Sequence, residues 1–135
     1  MLLHRADTTA LAAIERLAGL QAQVPNAPYI GLWTRLAGFR ADQLAGLLAE
    51  RAVVRTHLMR NTIHLVTAHD GVAMRGLMQP FLDRSYARSA FARNLTGVDV
   101  RALPDTGLAL LRDRPRTATS SVGCSSGGGP AVHVP

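Results

Sequence analysis

Lysine is absent from this sequence, so all 15 basic residues are arginine. Alongside abundant Ala, Leu and Gly, that absence points to a GC-rich genome. It reads as codon usage rather than as selection for guanidinium chemistry. A single cysteine, Cys124, excludes an internal disulfide framework and a cysteine-based zinc site. No apolar run approaches the roughly 20 residues of a membrane-spanning helix, which excludes a membrane partner of that kind. The opening residues Met1-Leu-Leu-His-Arg lack the charged and apolar regions of a secretory signal. A cytoplasmic location is therefore expected. Aromatic residues make up only 4%, so any core must be built from Leu, Val, Ile and Ala.

Apolar residues nevertheless reach 47%, enough to expect a folded core rather than disorder. A formal net charge of +6 on 135 residues favours a polyanionic partner, with nucleic acid first and an anionic membrane surface second.

Three helical patterns come first. Asp7-Thr-Thr offers capping chemistry for a helix from about Thr9 to Gly19, with Leu11, Ile14, Leu17 and Ala18 inward. Pro25 and Pro28 interrupt it, and Pro28 suits the first turn of a second helix ending at Gly38. Its expected apolar face is Tyr29, Ile30, Trp33, Leu36 and Ala37. A third helix, about Ala41 to Arg51, should bury Leu44, Leu47 and Leu48. The period then changes: 53–59 and 62–67 read as a β-hairpin. A two-residue loop at Arg60-Asn61 would set Met59 against Thr62, Leu58 against Ile63 and His57 against His64. Helix, helix, helix, hairpin is the order of a winged helix-turn-helix, with the hairpin as wing. The fold class is thus mainly α with a β-hairpin.

Thr67 to Asp70 reads as a capping box for a further helix, with a kink or restart at Pro80 and continuation to about Arg93. Asn94 to Val98 should turn, and a last helix should end near Asp113, leaving Leu108, Leu110 and Leu111 as exposed apolar positions. Trp33, Phe81, Tyr86 and Phe91 fall at helical spacing and are assigned to the core. The expected domains are residues 1–67, a first winged helix; 68–116, a helical linker; and 117–135, a tail. From Thr117 onward there is no charged residue and no helical period. Two readings stay open for the tail: a flexible Ser/Gly segment, or a shifted reading frame. With AGC codons at Ser120 and Ser126, a one-base shift turns the segment into a charged amphipathic helix.

Several blocks, in order, resemble one known family. They are Glu15-Arg-Leu-Ala-Gly-Leu-Gln-Ala-Gln-Val-Pro, Pro28-Tyr-Ile-Gly-Leu-Trp, the run from Arg55 to Thr67, and Gln79-Pro80. Together they resemble the winged-helix DNA-binding proteins that include the bacterial interstrand-crosslink DNA glycosylases. The resemblance implies a much longer protein of tandem winged helices and a β-barrel gripping DNA, of which this chain would be an N-terminal fragment, inactive alone. It also implies that Gln21 and Gln23 are the catalytic Gln-X-Gln pair. A glutamine amide does not titrate, so neither residue can be a general base. N7-alkylated guanine is already cationic and departs without an acid. Two neutral acceptors can then hold water and offer carbonyl dipoles to an oxocarbenium-like sugar. Residues two apart share a face only in an extended segment, which Pro25 and Pro28 favour. The structural alternative is that the two side chains merely satisfy backbone groups at a helix end.

In the hairpin, Arg55, Arg60, Asn61 and His64 are the candidate DNA contacts, with Arg60-Asn61 at the wing tip. The alternative is a solvated hairpin edge. Two histidines without a nearby Cys or carboxylate make a poor metal site, and no metal or cofactor is expected. The expected partner is DNA, bound by a monomer. A competing function is a non-enzymatic winged-helix regulator reading the major groove with its third helix. That helix is nearly neutral and poor in base-reading side chains.

Overall fold

Thr9 caps the first helix, as its sequence suggests: its hydroxyl accepts a bond from the Ala12 N–H at 3.2 Å. The helix, α1 (Ala10–Arg16), buries Ala10, Ala13 and Ile14. Ala18 (φ 52°) and Gly19 (φ 101°) then turn the chain sharply into a two-residue strand, β1 (Leu20–Gln21). A Cβ on Gly19 would lie 2.5 Å from Val66 Cγ1 and 2.9 Å from the Leu65 carbonyl oxygen. Only glycine can make this corner, for reasons of both space and φ.

The computed structural model describes residues 4–95, 99 and 102–116, in two compact units divided between Ser89 and Ala90. In the first unit β1 is followed by α2 (Ala27–Trp33), α3 (Ala41–Ala49), β2 (Val53–His57), β3 (Ile63–Thr67) and α4 (Ala68–Ala87). The strands form one antiparallel sheet in the order β1-β3-β2. Three helices, an early short strand and a hairpin whose second strand lies centrally make a winged helix. The second unit contains α5 (Ala90–Asn94) and α6 (Leu103–Asp113). On α6, Leu108 and Leu111 are exposed and Leu110 is half-buried. The tail readings lie outside the described residues, as does most of the expected 94–98 turn.

One face of the sheet closes the core. There Val53 and Leu65 pack with Ile14, Ala22, Leu32, Leu36 and Leu44, all essentially without solvent contact. Burying such side chains contributes about 1.5–3 kcal/mol each, the dominant favourable term here. The other face is covered by α4. A Cβ on Gly71 would meet Val54 Cγ2 at 3.0 Å and Val66 Cγ2 at 3.3 Å, so the helix backbone lies almost on the strands. Thr67 ends β3 and starts α4, its hydroxyl accepting from the Asp70 N–H at 3.0 Å.

Three expectations are corrected. The hairpin is out by one residue: His57 pairs with Ile63 and Thr56 with His64, so His57 and His64 lie on opposite faces. The cause is a three-residue connection, the 3₁₀ turn Met59–Asn61, in which Arg60 (φ 54°) and Asn61 (φ 57°) are both left-handed. Second, α2 buries Pro28 and Leu32, an i, i+4 pair, with Leu36 buried just beyond its end, and leaves Ile30 and Trp33 exposed. Trp33 carries the Arg5 guanidinium 4.5 Å from its ring centre, and Phe81, Tyr86 and Phe91 are also exposed. None of the four is core. Third, α4 runs unbroken through Pro80 and the chain restarts only at Ala90. Pro80 and Gly76 are both exposed, so water can satisfy the Gly76 carbonyl that the proline leaves without its helical partner.

Candidate functional site

The segment Gln21-Ala22-Gln23 runs along the free side of β3, and its burial alternates. Ala22 is fully buried in the core, while both glutamines are exposed. That alternation is the signature of extended backbone and sends the two amides to the same side. Extension here comes from pairing: Leu20 lies opposite Leu65 and Gln21 opposite His64. The Ala22 N–H continues the ladder to the Ile63 carbonyl at 2.8 Å.

At that step the backbone ladder stops and side chains take over. The Ile63 N–H donates to Gln23 Oε1 at 3.1 Å, as a backbone carbonyl would otherwise allow. The carbonyl of Ala22 instead accepts from Arg55 Nη2 at 2.7 Å. Arg55 therefore reaches from β2 across β3 to the residue between the glutamines. Every backbone polar group of this strand end that faces the sheet thus has a partner, as burial beside a core requires. The two glutamines are consequently unlike. Gln23 has its oxygen tied to the sheet, whereas the Gln21 amide makes no hydrogen bond to any described residue.

His64 faces Gln21 across the ladder and is buried at 7% exposure. Its Nδ1 lies 3.0 Å from the Thr62 carbonyl oxygen. A carbonyl only accepts, so Nδ1 carries the proton and Nε2 is left as the acceptor of the neutral ring. His57, on the other face, places Nδ1 3.3 Å from the Asn61 carbonyl oxygen. Among the described residues no three His, Cys, Asp or Glu side chains gather as metal ligands would.

The wing tip is braced from behind by α4, which sequence reasoning did not anticipate. Asn61 Nδ2 donates to Ser85 Oγ at 3.2 Å, and Arg75 Nη1 donates to the His57 carbonyl at 3.4 Å. Sequence spacing gave no signal for these bonds, since the partners are 24 and 18 residues apart. Arg60 is exposed at the tip beside Asn61. The Gln pair, Arg55 and His64 thus gather at the β1 side of β3, while Arg60 and Asn61 stand apart at the hairpin end.

The exposed surface of α3 is Ala41, Asp42, Gln43, Ala45 and Ala49, with Glu50 following. At its start Arg40 pairs with Asp42 at 2.8 Å, and that bond and charge hold the Asp42 carboxyl below its ordinary range. No described helix is long and apolar enough to cross a membrane.

No curated protein sequence matches the chain. In three dimensions it is similar to the Streptomyces sahachiroi DNA glycosylase AlkZ, with a TM-score of 0.75 and 25% identity over 91% of this chain. It spans 33% of the length of that structure. The sequence model of the DNA glycosylase AlkZ-like family matches residues 14–120, which contain the glutamine pair, the hairpin and the helices packed on them. The chain belongs to the AlkZ-like DNA glycosylase family.

Proposed function

We propose that the chain is a DNA-binding winged-helix module of a glycosylase that removes N7-alkylated or crosslinked guanine, with Gln21 and Gln23 as its catalytic pair. The observation that carries this reading is the unbonded amide of Gln21, exposed beside a Gln23 whose oxygen is held by the sheet. Alkylation at N7 gives guanine a positive charge. When the C1′–N9 bond breaks, the departing base takes the electron pair and becomes neutral. The sugar is left electron-poor, and a water oxygen bonds to C1′ while releasing its proton to solvent. In this reaction Gln21 Oε1 turns its dipole to the sugar, and Gln23 Oε1, with the lone pair that the Ile63 N–H leaves over, accepts from the attacking water. Arg60 and Asn61 meet the DNA backbone from the wing, with Arg55 and His64 flanking the glutamines. The nearly neutral, small-residue surface of α3 argues against a regulator that reads bases with that helix.

In this reading the protein acts on DNA in the cytoplasm as a metal-free monomer. Residues 68–116 link the first winged helix to the beginning of a second. The chain spans a third of the AlkZ structure, and the family match stops at residue 120, close to where charged residues cease. On its own such a module is expected to bind DNA and to release little or no base.

The test is binding rather than turnover. A duplex carrying a cationic pyrrolidine in place of one sugar mimics the oxocarbenium-like state, and a catalytic site holds such a mimic better than undamaged DNA. The wild-type chain should prefer the mimic, and Gln21→Ala should erase that preference while leaving affinity for undamaged DNA intact. Equal binding of both duplexes by the wild-type chain would remove the catalytic reading.

A further inference from the structure

We propose that Arg55 is a positioning residue, the clamp that holds Gln21 and Gln23 in the extended form from which their amides act. The inference rests on the catalytic reading of the glutamines, but its structural half stands by itself.

A strand of two residues has little of its own to keep it straight. After Gln21 a single backbone bond, from the Ala22 N–H to Ile63, ties the segment to β3. Beyond it the chain bends away toward α2. Two side chains supply what the ladder lacks, Gln23 on the Ile63 N–H and Arg55 on the Ala22 carbonyl. Their strengths differ. The Arg55 bond is short and charge-assisted, roughly twice as strong as the neutral bond from Ile63 to Gln23. Arg55 is also anchored on the hairpin, in register with Leu65, so the clamp spans all three strands. Without it the Ala22 carbonyl is left unpaired beside a buried side chain. The segment can then rotate to reach water, and the Gln23 bond goes with it. Catalytic amides need their positions fixed to about half an ångström, and this bond fixes the residue between them. An arginine placed to meet phosphate would have its guanidinium turned outward; here one arm is turned in to a backbone carbonyl.

The experiment compares Arg55→Met, which keeps the stem without a donor, and Arg55→Lys, which restores one. In the whole chain, amide hydrogen exchange reads the clamp directly. Arg55→Met should speed exchange at Ala22 and Ile63 on the order of tenfold, with Leu44 and Val66 unchanged as markers of an intact fold. Arg55→Lys should restore most of the protection. The second arm uses the pyrrolidine duplex: Arg55→Met should lose the preference for the mimic and keep its affinity for undamaged DNA. Unchanged exchange at Ile63 would overturn the proposal. So would an equal loss of affinity for both duplexes, which would mark Arg55 as a phosphate contact. If the wild-type chain shows no preference for the mimic, the catalytic reading fails, and the exchange result alone decides the clamp.

Discussion

Gln21 and His64 stand directly opposite each other on neighbouring antiparallel strands, one exposed and the other buried. Their side chains therefore project from the same face, about 5 Å apart at Cβ. The next pair, Ala22 and Ile63, carries the backbone bond, so Gln21 and His64 form the closer, non-bonded kind of pair. The ring beside the free amide is thus a defined chemical object. Its Nδ1 proton is committed to Thr62, which in the neutral ring leaves Nε2 as the acceptor.

The first prediction concerns that ring. Long-range proton–nitrogen NMR should find the proton of the neutral His64 ring on Nδ1, the minority tautomer of a free imidazole. His64→Ala should cost about 1–3 kcal/mol through the lost bond and the space left behind, measured by urea unfolding. A proton on Nε2 would contradict the bond to Thr62.

The corner before the glutamines gives a sharper test. Gly19→Ala combines a left-handed φ with a methyl group only 2.5 Å from Val66 Cγ1. It should destabilise by at least about 3 kcal/mol or prevent folding. Gly38 is also left-handed, at φ 69°, but has nothing within 4 Å, so Gly38→Ala should cost only about 1–2 kcal/mol. Equal costs would mean that conformation alone, not contact with the sheet, demands glycine at 19.

Wing contacts should show themselves in salt. If Arg60 meets a phosphate, Arg60→Ala lowers affinity evenly across sequences and reduces the slope of log affinity against log salt by about 1. Asn61→Ala should leave that slope unchanged. A variant of Arg60 with the wild-type slope would place the wing tip away from DNA.

Acid stability carries a small, signed contribution from Asp42. Its carboxyl is held below the ordinary range, first by the bond from Arg40 and also by its charge. A group with a lowered folded-state pKa stabilises fully above its unfolded value and loses that contribution as pH falls through the folded one. The wild type should therefore lose slightly more stability than Asp42→Asn on acidification below the ordinary carboxylate range. The pair is fully exposed, so the difference should vanish at high salt. A difference that survives high salt would point to a partner other than Arg40.

The first three helices and the hairpin were legible because long segments keep one period, whereas the two-residue strand β1 was not. Ile14, Leu44 and the β-branched runs around Thr62 all lie where periodicity puts them. What failed were features decided by one or two residues. The hairpin register turned on two left-handed residues, Arg60 and Asn61, and an arginine there gives no turn signal. The exposed face of α2 was misread because Trp33 and Ile30 are apolar, yet the i, i+4 row through Leu32 reaches the core first. At the site, the glutamine pair was visible as a motif, but its asymmetry was not. The bond from Ile63 to Gln23 and the bond from Arg55 to Ala22 span 40 and 33 residues, and no local pattern encodes them.

Ala22 has a consequence beyond packing. Its methyl group is part of the core, while its neighbours on both sides carry the exposed amides. Shape changes deep in the domain, at Ile14, Leu32 or Leu36, therefore have a short mechanical route to the surface. Such substitutions should act as remote tuners, shifting the two amides together without touching DNA. On the proposed role of the glutamines, the corollary is that ordinary core replacements can retune the site with the two glutamines themselves left unaltered.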